Sequence, residues 1–144
     1  MWSELGTSIW EDKSTILIIE DSPLTLYVLI EYLEKLALKT SVARSGEEAI
    51  RQVETLKPDL ILSDVMMPGI DGFETCRMLK QHESIKETPV IFMTALTETV
   101  DKVKGFEVGA VDYITKPFQY EEVLARVKAH LTIQRLQRDL QNRN

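Results

Sequence analysis

The sequence predicts an open α/β domain: a parallel sheet covered by helices on both faces. Three observations predict it. Short apolar runs alternate with stretches at helical spacing, five times over. The first run, Thr15-Ile16-Leu17-Ile18-Ile19, is β-branched and almost wholly apolar, as suits a strand buried on both faces. Cap and turn residues stand between the runs. Such alternation implies right-handed βαβ crossovers, which place helices on both sides of the sheet.

The elements follow in order. After the first strand, Ser22-Pro23 opens a helix, with proline where its missing N–H costs nothing. Leu26, Leu29, Leu33 and Leu36 form its stripe. Thr40 to Ala43 is the second strand. Ser45 stands three residues before Glu48, the spacing of a capping box. Ala49, Val53 and Leu56 form the next stripe, and Lys57-Pro58 is expected to stop that helix. Leu60 to Leu62 is the third strand, followed by a stripe of Phe73, Cys76 and Leu79. Val90 to Met93 is the fourth strand. Val100, Val103 and Phe106 form a fourth stripe, with Gly109 where a helix end needs a left-handed residue. Tyr113 to Thr115 is the fifth strand.

The last segment, Gln119 to Asn144, reads as one long helix. Val123, Leu124, Val127 and Leu131 suit docking on a sheet, after which Ala129, Ile133, Leu136 and Leu140 follow the 4-3-4 spacing of a coiled-coil seam. The expected division is an arm at 1–14 carrying Trp2 and Trp10, a domain at 15–131 and a helical extension at 132–144.

Composition narrows the function. The chain has 144 residues, enough for one domain of ordinary size. A net charge of −6 argues against nucleic-acid binding by this chain. One cysteine and two histidines exclude a disulfide framework and a Cys/His zinc site. No apolar run approaches the ~20 residues that span a bilayer. Glu4, Glu11 and Asp12 make the N-terminus unlike a secretory signal, so the expected compartment is the cytoplasm. Cys76 is expected to pack as a small core hydrophobe, and His82 and His130 to lie on the surface.

The informative residues fall at strand C-terminal ends, where open α/β sheets bind ligands. The first strand ends in Glu20-Asp21 and the third in Ser63-Asp64. If those strands are neighbours, three carboxylates converge and disfavour one another's ionised forms. A hard cation such as Mg²⁺ removes the conflict, since it takes oxygen ligands and keeps several waters. Singly, Asp21 reads as a helix cap and Asp64 as a turn residue; their joint occurrence on alternate strands favours a site. Thr94 ends the fourth strand and Lys116 the fifth. A hydroxyl and an ammonium beside the acids make a place for a phosphoryl group.

With Glu20-Asp21, Asp64-Val65-Met66-Met67-Pro68-Gly69-Ile70-Asp71-Gly72, Thr94-Ala95 and Lys116-Pro117-Phe118 in this order, the chain resembles the receiver domain of two-component response regulators over about residues 15 to 131. The resemblance implies a flavodoxin-like sheet of five parallel strands in order 2-1-3-4-5. It implies that Asp64 accepts a phosphoryl group from a histidine kinase or histidine phosphotransfer protein. Glu20, Asp21, the Asp64 carboxylate and the Met66 carbonyl would hold Mg²⁺. Thr94 would bond a phosphoryl oxygen, Lys116 would pair with Asp64 or its phosphate, and Tyr113 would change rotamer with Thr94. The Lys116-Pro117 bond would be cis. The output would be a surface made by the fourth helix, fifth strand and fifth helix. Gln119 to Asn144 carries five basic and three acidic residues, +2 against −8 for residues 1–118, and this charge change with the seam suggests a homodimer or a fused output domain. No membrane partner is implied.

Three other readings compete. A phosphohydrolase with an aspartyl nucleophile needs a second acid two residues on; Met66 stands there and cannot transfer a proton. A flavin-binding module needs a phosphate-cradling loop after the first strand, but Glu20-Asp21-Ser22-Pro23 puts two negative charges there. A degenerate receiver is disfavoured by the intact acids, Thr94 and Lys116.

Overall fold

A computed structural model of the chain describes residues 14–95 and 101–142. Its elements in order are β1 (Thr15–Ile19), α1 (Pro23–Glu34), β2 (Lys39–Ala43), α2 (Gly46–Gln52), β3 (Leu60–Asp64), α3 (Gly72–Leu79), β4 (Val90–Ala95), α4 (Lys102–Glu107), β5 (Ala110–Lys116) and α5 (Tyr120–Asn142). All strand pairings are parallel, in the order β2-β1-β3-β4-β5. This is the flavodoxin-like arrangement. β1 lies between β2 and β3, so the strand order reverses there and a crevice opens at the carboxyl ends.

The apolar runs bury on both faces as their pattern requires. Leu17, Ile19, Ile61 and Phe92 pack with Ala49, Phe73, Cys76 and Leu79 on the α2–α3 side. Ile16, Ile18, Leu60, Leu62 and Met93 pack with Leu26, Leu29, Leu33, Val123, Val127 and Leu131 on the α1–α5 side. Alternation along each strand therefore feeds two separate cores. Burying side chains of this size contributes roughly 1.5–3 kcal/mol each before ordering costs are subtracted.

The caps behave largely as expected. The Ser22 hydroxyl accepts from the Thr25 N–H, with Pro23 opening α1. The Ser45 hydroxyl accepts from the Glu48 N–H at 3.1 Å, while the Glu48 carboxylate turns to the Gln52 side chain instead of back to the cap. Gly109 has φ +114°, as its position after α4 demands. Asp71 and Asp101, which the sequence reading left unassigned, cap α3 and α4.

Several expectations are corrected. α2 closes at Gln52, well before Lys57-Pro58: after Val53 the Glu54 and Thr55 N–H groups bond three residues back, to Arg51 and Gln52, and the chain goes on in turns. Leu36 and Leu56 lie beyond their helices and are only half-buried. The fourth stripe does not face the core. Val103 is 69% and Phe106 52% exposed, and Gly105 is the buried residue of α4; Val100 lies outside the described residues. The Tyr113 ring occupies the space beneath α4, and a Cβ on Gly105 would fall 1.8 Å from its hydroxyl. The helix seats through its glycine and turns its large side chains outward.

α5 runs without a break past 131. Val123, Val127 and Leu131 are buried and Leu124 half-buried, whereas Ala129, Ile133, Leu136 and Leu140 are exposed. The helix is tied to the lower edge of the sheet. Arg135 donates to the Ser14 hydroxyl, and Arg138 to Asp59, which also accepts the Thr15 N–H. His130 is no simple surface residue. Its side chain is 17% exposed, with Nε2 3.0 Å from Asp112, which also takes Arg126 at 2.6 Å. Burial would push the Asp112 carboxyl up, but His130, the Tyr113 N–H and Arg126 outweigh it and hold it below the usual range. Helical spacing placed His130 beside the docking face; nothing local in the sequence marked Asp112 as its partner. Cys76 packs as expected, its thiol bonded to the Val108 carbonyl and pushed up to about 11 by burial.

Candidate functional site: an acidic pocket at the strand ends

Parallel pairing carries β1, β3, β4 and β5 to one edge, and the residue types that end those strands make the site. Glu20 follows β1, with its N–H bonded to the Ala43 carbonyl of β2. It is 1% exposed. Asp64 ends β3 and is buried; its strand pairs with β4 at Asp64↔Met93. Thr94, also buried, pairs with Thr115 of β5, one residue before Lys116. The Lys116-Pro117 peptide bond is cis.

Lys116 holds the pocket together. Its ammonium donates to Glu20 Oε1 at 2.9 Å and to Asp64 Oδ2 at 3.3 Å. Asp64 is strongly perturbed. Burial first, then the charge of Glu20, raise its carboxyl from 3.8 to about 6, against the opposing pull of Lys116 and the Met66 N–H. Burial would lower the Lys116 ammonium, but the hydrogen bond to Glu20 and the charges of Asp64 and Glu20 outweigh it and raise it. A perturbed carboxylate in a crevice, facing a second acid and a cation, is the mark of a chemical site.

The expected meeting of three carboxylates is only partly realised. Glu20 and Asp64 share Lys116, whereas Asp21 is exposed at the mouth. Among the described residues no three His, Cys, Asp or Glu side chains stand close enough to hold a metal by themselves. The Lys116 ammonium supplies the counter-charge within the pocket. The side chains the strand ends offer are nonetheless oxygen donors, the carboxylates of Glu20, Asp21 and Asp64, and the Met66 thioether is turned to solvent. That set fits a hard cation that keeps several waters and asks for one or two carboxylates. It does not fit a soft metal.

Backbone packing fixes the phosphoacceptor candidate. Gly72 opens α3 against β3, where a Cβ would come within 2.3 Å of the Asp64 carbonyl. Its N–H bonds the Val65 carbonyl at 2.8 Å, and the Val65 N–H bonds the Met93 carbonyl at 3.3 Å. Tyr113 lies beyond Thr94 on β5, buried. Its ring meets Phe92 and Phe106, and its hydroxyl donates to the Lys102 carbonyl at 3.4 Å. One contact escaped sequence reading. Arg44, just after β2, donates from Nη2 to the backbone carbonyl of Asp21 at 2.9 Å. A lone arginine at a strand end carries no signal of that kind.

Comparison with known proteins agrees with the geometry. Residues 16–128 match the family model of the response regulator receiver domain. The chain is 46% identical over 117 residues to the alkaline phosphatase synthesis transcriptional regulatory protein PhoP of Bacillus subtilis, covering 81% of this chain and 48% of that protein. The chain thus spans about half the length of the curated relatives it matches. The signal receiver domain of a signal transduction histidine kinase from Syntrophus aciditrophicus superposes with a TM-score of 0.75 at 41% identity, over 83% of this chain and 90% of that one. The receiver domain of the sensor histidine kinase PA1611 from Pseudomonas aeruginosa, described with a magnesium ion in its active-site cleft, superposes at 0.77 with 28% identity, over 83% and 98%. With its five-stranded parallel sheet and the acids, threonine and lysine at its strand ends, the chain belongs to the receiver domain family of two-component response regulators.

Proposed function

We propose that Asp64 is the phosphoacceptor of this receiver and that the pocket works with Mg²⁺. The carrying observation is the buried Asp64 carboxylate, raised to about 6 by burial and Glu20 while Lys116 holds it from the other side. Such a group is fixed in direction, and its charge is tolerable only when partnered. The donor is a phosphohistidine on a kinase or phosphotransfer protein. A carboxylate oxygen of Asp64 forms the new bond to phosphorus as the P–N bond breaks, and the electron pair leaves with the imidazole. Phosphoryl transfer asks for in-line positioning and neutralised oxygens more than for covalent chemistry.

Glu20, Asp21, Asp64 and the Met66 carbonyl are the residues that would hold the cation. Bound there, Mg²⁺ supplies neutralisation of the non-bridging oxygens. Lys116 takes one phosphoryl oxygen as a point charge, and the Thr94 hydroxyl bonds another. As Thr94 follows the phosphate, Tyr113 moves with it. Tyr113 lies under α4, so that movement is passed to the surface of α4, β5 and α5. A shift from mostly off to mostly on needs only ~3–5 kcal/mol of differential stabilisation. The protein turns over no external substrate; it catalyses its own phosphorylation and a slow loss of the group. Exposed Leu24, Tyr27 and Met66 suit contact with a protein donor. We place the reaction in the cytoplasm; among the described residues no helix is long and apolar enough to cross a membrane. Incubation with acetyl phosphate tests the reading. Intact-mass spectrometry should show one phosphoryl group, labile to hydroxylamine, with Mg²⁺ and none after chelation. Equal labelling without metal would sink it.

We assign the receiver proper to residues 15–131; the arm expected before it, with Trp2 and Trp10, lies outside the described residues. The part of α5 beyond Leu131, described to Asn142, would extend it toward an output domain or a second copy, since Ile133, Leu136 and Leu140 stay exposed at seam spacing. Two heptads form only a weak coiled coil. Light scattering at high protein concentration should show mass above the monomer, falling to the monomer when Leu136 and Leu140 become Ser. A monomer throughout removes the second copy.

A further inference from the structure

The β1–α1 turn presents the two acids of the pocket in different ways. Glu20 is buried and held at its side chain: Oε1 accepts from Lys116 at 2.9 Å and Oε2 from the Ser22 N–H at 3.1 Å. Asp21 is exposed, and what holds it is its backbone. The guanidinium of Arg44 reaches across from the end of β2 and donates to the Asp21 carbonyl at 2.9 Å. The two strands run in register up to that point, with Ile19 beside Ala43 and the Glu20 N–H on the Ala43 carbonyl. Arg44 is therefore the next rung of the β1–β2 ladder, made by a side chain where the backbone ladder has stopped. Ser22 begins the cap of α1 one residue later, so the turn has little slack between Arg44 and that cap.

We propose that Arg44 is a positioning residue for the cation pocket: it fixes the β1–α1 turn so that the Asp21 carboxylate faces the space beside Asp64. The inference rests on the reading of this pocket as a divalent-cation site. It has an unusual sign. A guanidinium near a dication repels it, so on charge alone removing Arg44 would tighten binding. Removing a brace from an exposed ligand loosens it, because the free turn must then be ordered on binding. Charge and positioning thus predict opposite outcomes. The opposing charge effect is weakened because the side chain is exposed and screened by salt.

The test is calorimetric titration of the full chain with Mg²⁺, and separately with Mn²⁺, for the parent, Arg44→Ala and Arg44→Lys. Thermal unfolding without metal is measured alongside. Positioning predicts that Arg44→Ala raises the dissociation constant about 10-fold for both metals, the low end of what losing a brace on a ligand costs. It also predicts an unchanged metal-free melting temperature, because the contact is at the surface. Arg44→Lys, which keeps a donor and the charge, should recover at least part of the affinity. Equal or tighter binding by Arg44→Ala overturns the proposal while leaving the cation site standing. Weakening that tracks a lower melting temperature, unrescued by lysine, also overturns it. Absence of binding by the parent overturns the cation reading itself, and this inference with it.

Discussion

Asp64→Asn is expected to accept no phosphoryl group from acetyl phosphate and Mg²⁺ under conditions that label the parent fully, a loss of at least about 10³-fold in rate. The amide keeps the shape of the side chain and its place at the end of β3, but its oxygen is too poor a nucleophile. The same variant carries a second expectation with the opposite sign. Asp64 is raised from 3.8 to about 6 in the folded protein, so the fold binds that proton more tightly than the unfolded chain does. Its stabilising contribution is complete below about pH 3.8 and is lost as pH rises through about 6. At pH 7 the parent therefore holds an ionised carboxylate that its surroundings disfavour, and the asparagine variant does not. Metal-free Asp64→Asn should be more stable than the parent at pH 7, by about 1 kcal/mol once screening at the pocket mouth is allowed for, and so unfold at higher temperature. The gap should close toward pH 4. Thermal melts at the two pH values in a chelating buffer measure it. Inactivity with lowered stability at pH 7 would mean that Asp64 supports the fold and carries no strained charge.

Lys116→Ala is expected to damage both stability and reaction. Lys116 contacts Glu20 at 2.9 Å and Asp64 at 3.3 Å, and Glu20 is buried. Without the ammonium, two acids face each other across a poorly solvated crevice. Breaking a fully buried pair costs ~3–5 kcal/mol. Lys116 retains some contact with water, so about 2 kcal/mol is expected at pH 7, relieved as pH falls and Asp64 takes up a proton. Mg²⁺ should restore much of the stability, because the cation supplies the missing counter-charge. Phosphoryl transfer should still fall by roughly 10²-fold, since the added metal does not replace the point charge on the phosphoryl oxygen. Denaturant melts with and without Mg²⁺ separate the two effects. A metal-free variant as stable as the parent at pH 7 would show that Lys116 is not the pocket's counter-ion.

Much of this was legible before any coordinates. The double-sided apolar run at Thr15–Ile19 announced a parallel sheet, because only a strand covered on both faces tolerates it. The strand-end rule then drew Glu20, Asp64, Thr94 and Lys116 to one edge. What sequence could not supply was orientation around a helix and contact across the fold. Val103 and Phe106 have core spacing, yet the bulk of Tyr113 beneath Gly105 turns them outward. His130 of α5 finds Asp112 through docking of the helix on β5, and Arg44 finds the Asp21 carbonyl through strand register; no local pattern encodes either contact. The three-acid cluster was likewise drawn too tight. Charge counting foresaw the repulsion between Glu20 and Asp64, and the resemblance paired Lys116 with Asp64; that Lys116 also holds Glu20, and so stands between the two acids, was not foreseen.

The central claim is that a phosphoryl group lands on Asp64 when a divalent cation shares the pocket. The most direct measurement is reductive trapping. The chain is treated with acetyl phosphate, with and without Mg²⁺, and then with borohydride, which converts an aspartyl phosphate to homoserine; peptides are sequenced by mass spectrometry. The account predicts homoserine at position 64 in the Mg²⁺ sample and aspartate there after chelation. Homoserine at Glu20's neighbour Asp21 or at any other aspartate, or none at all with metal present, would contradict it.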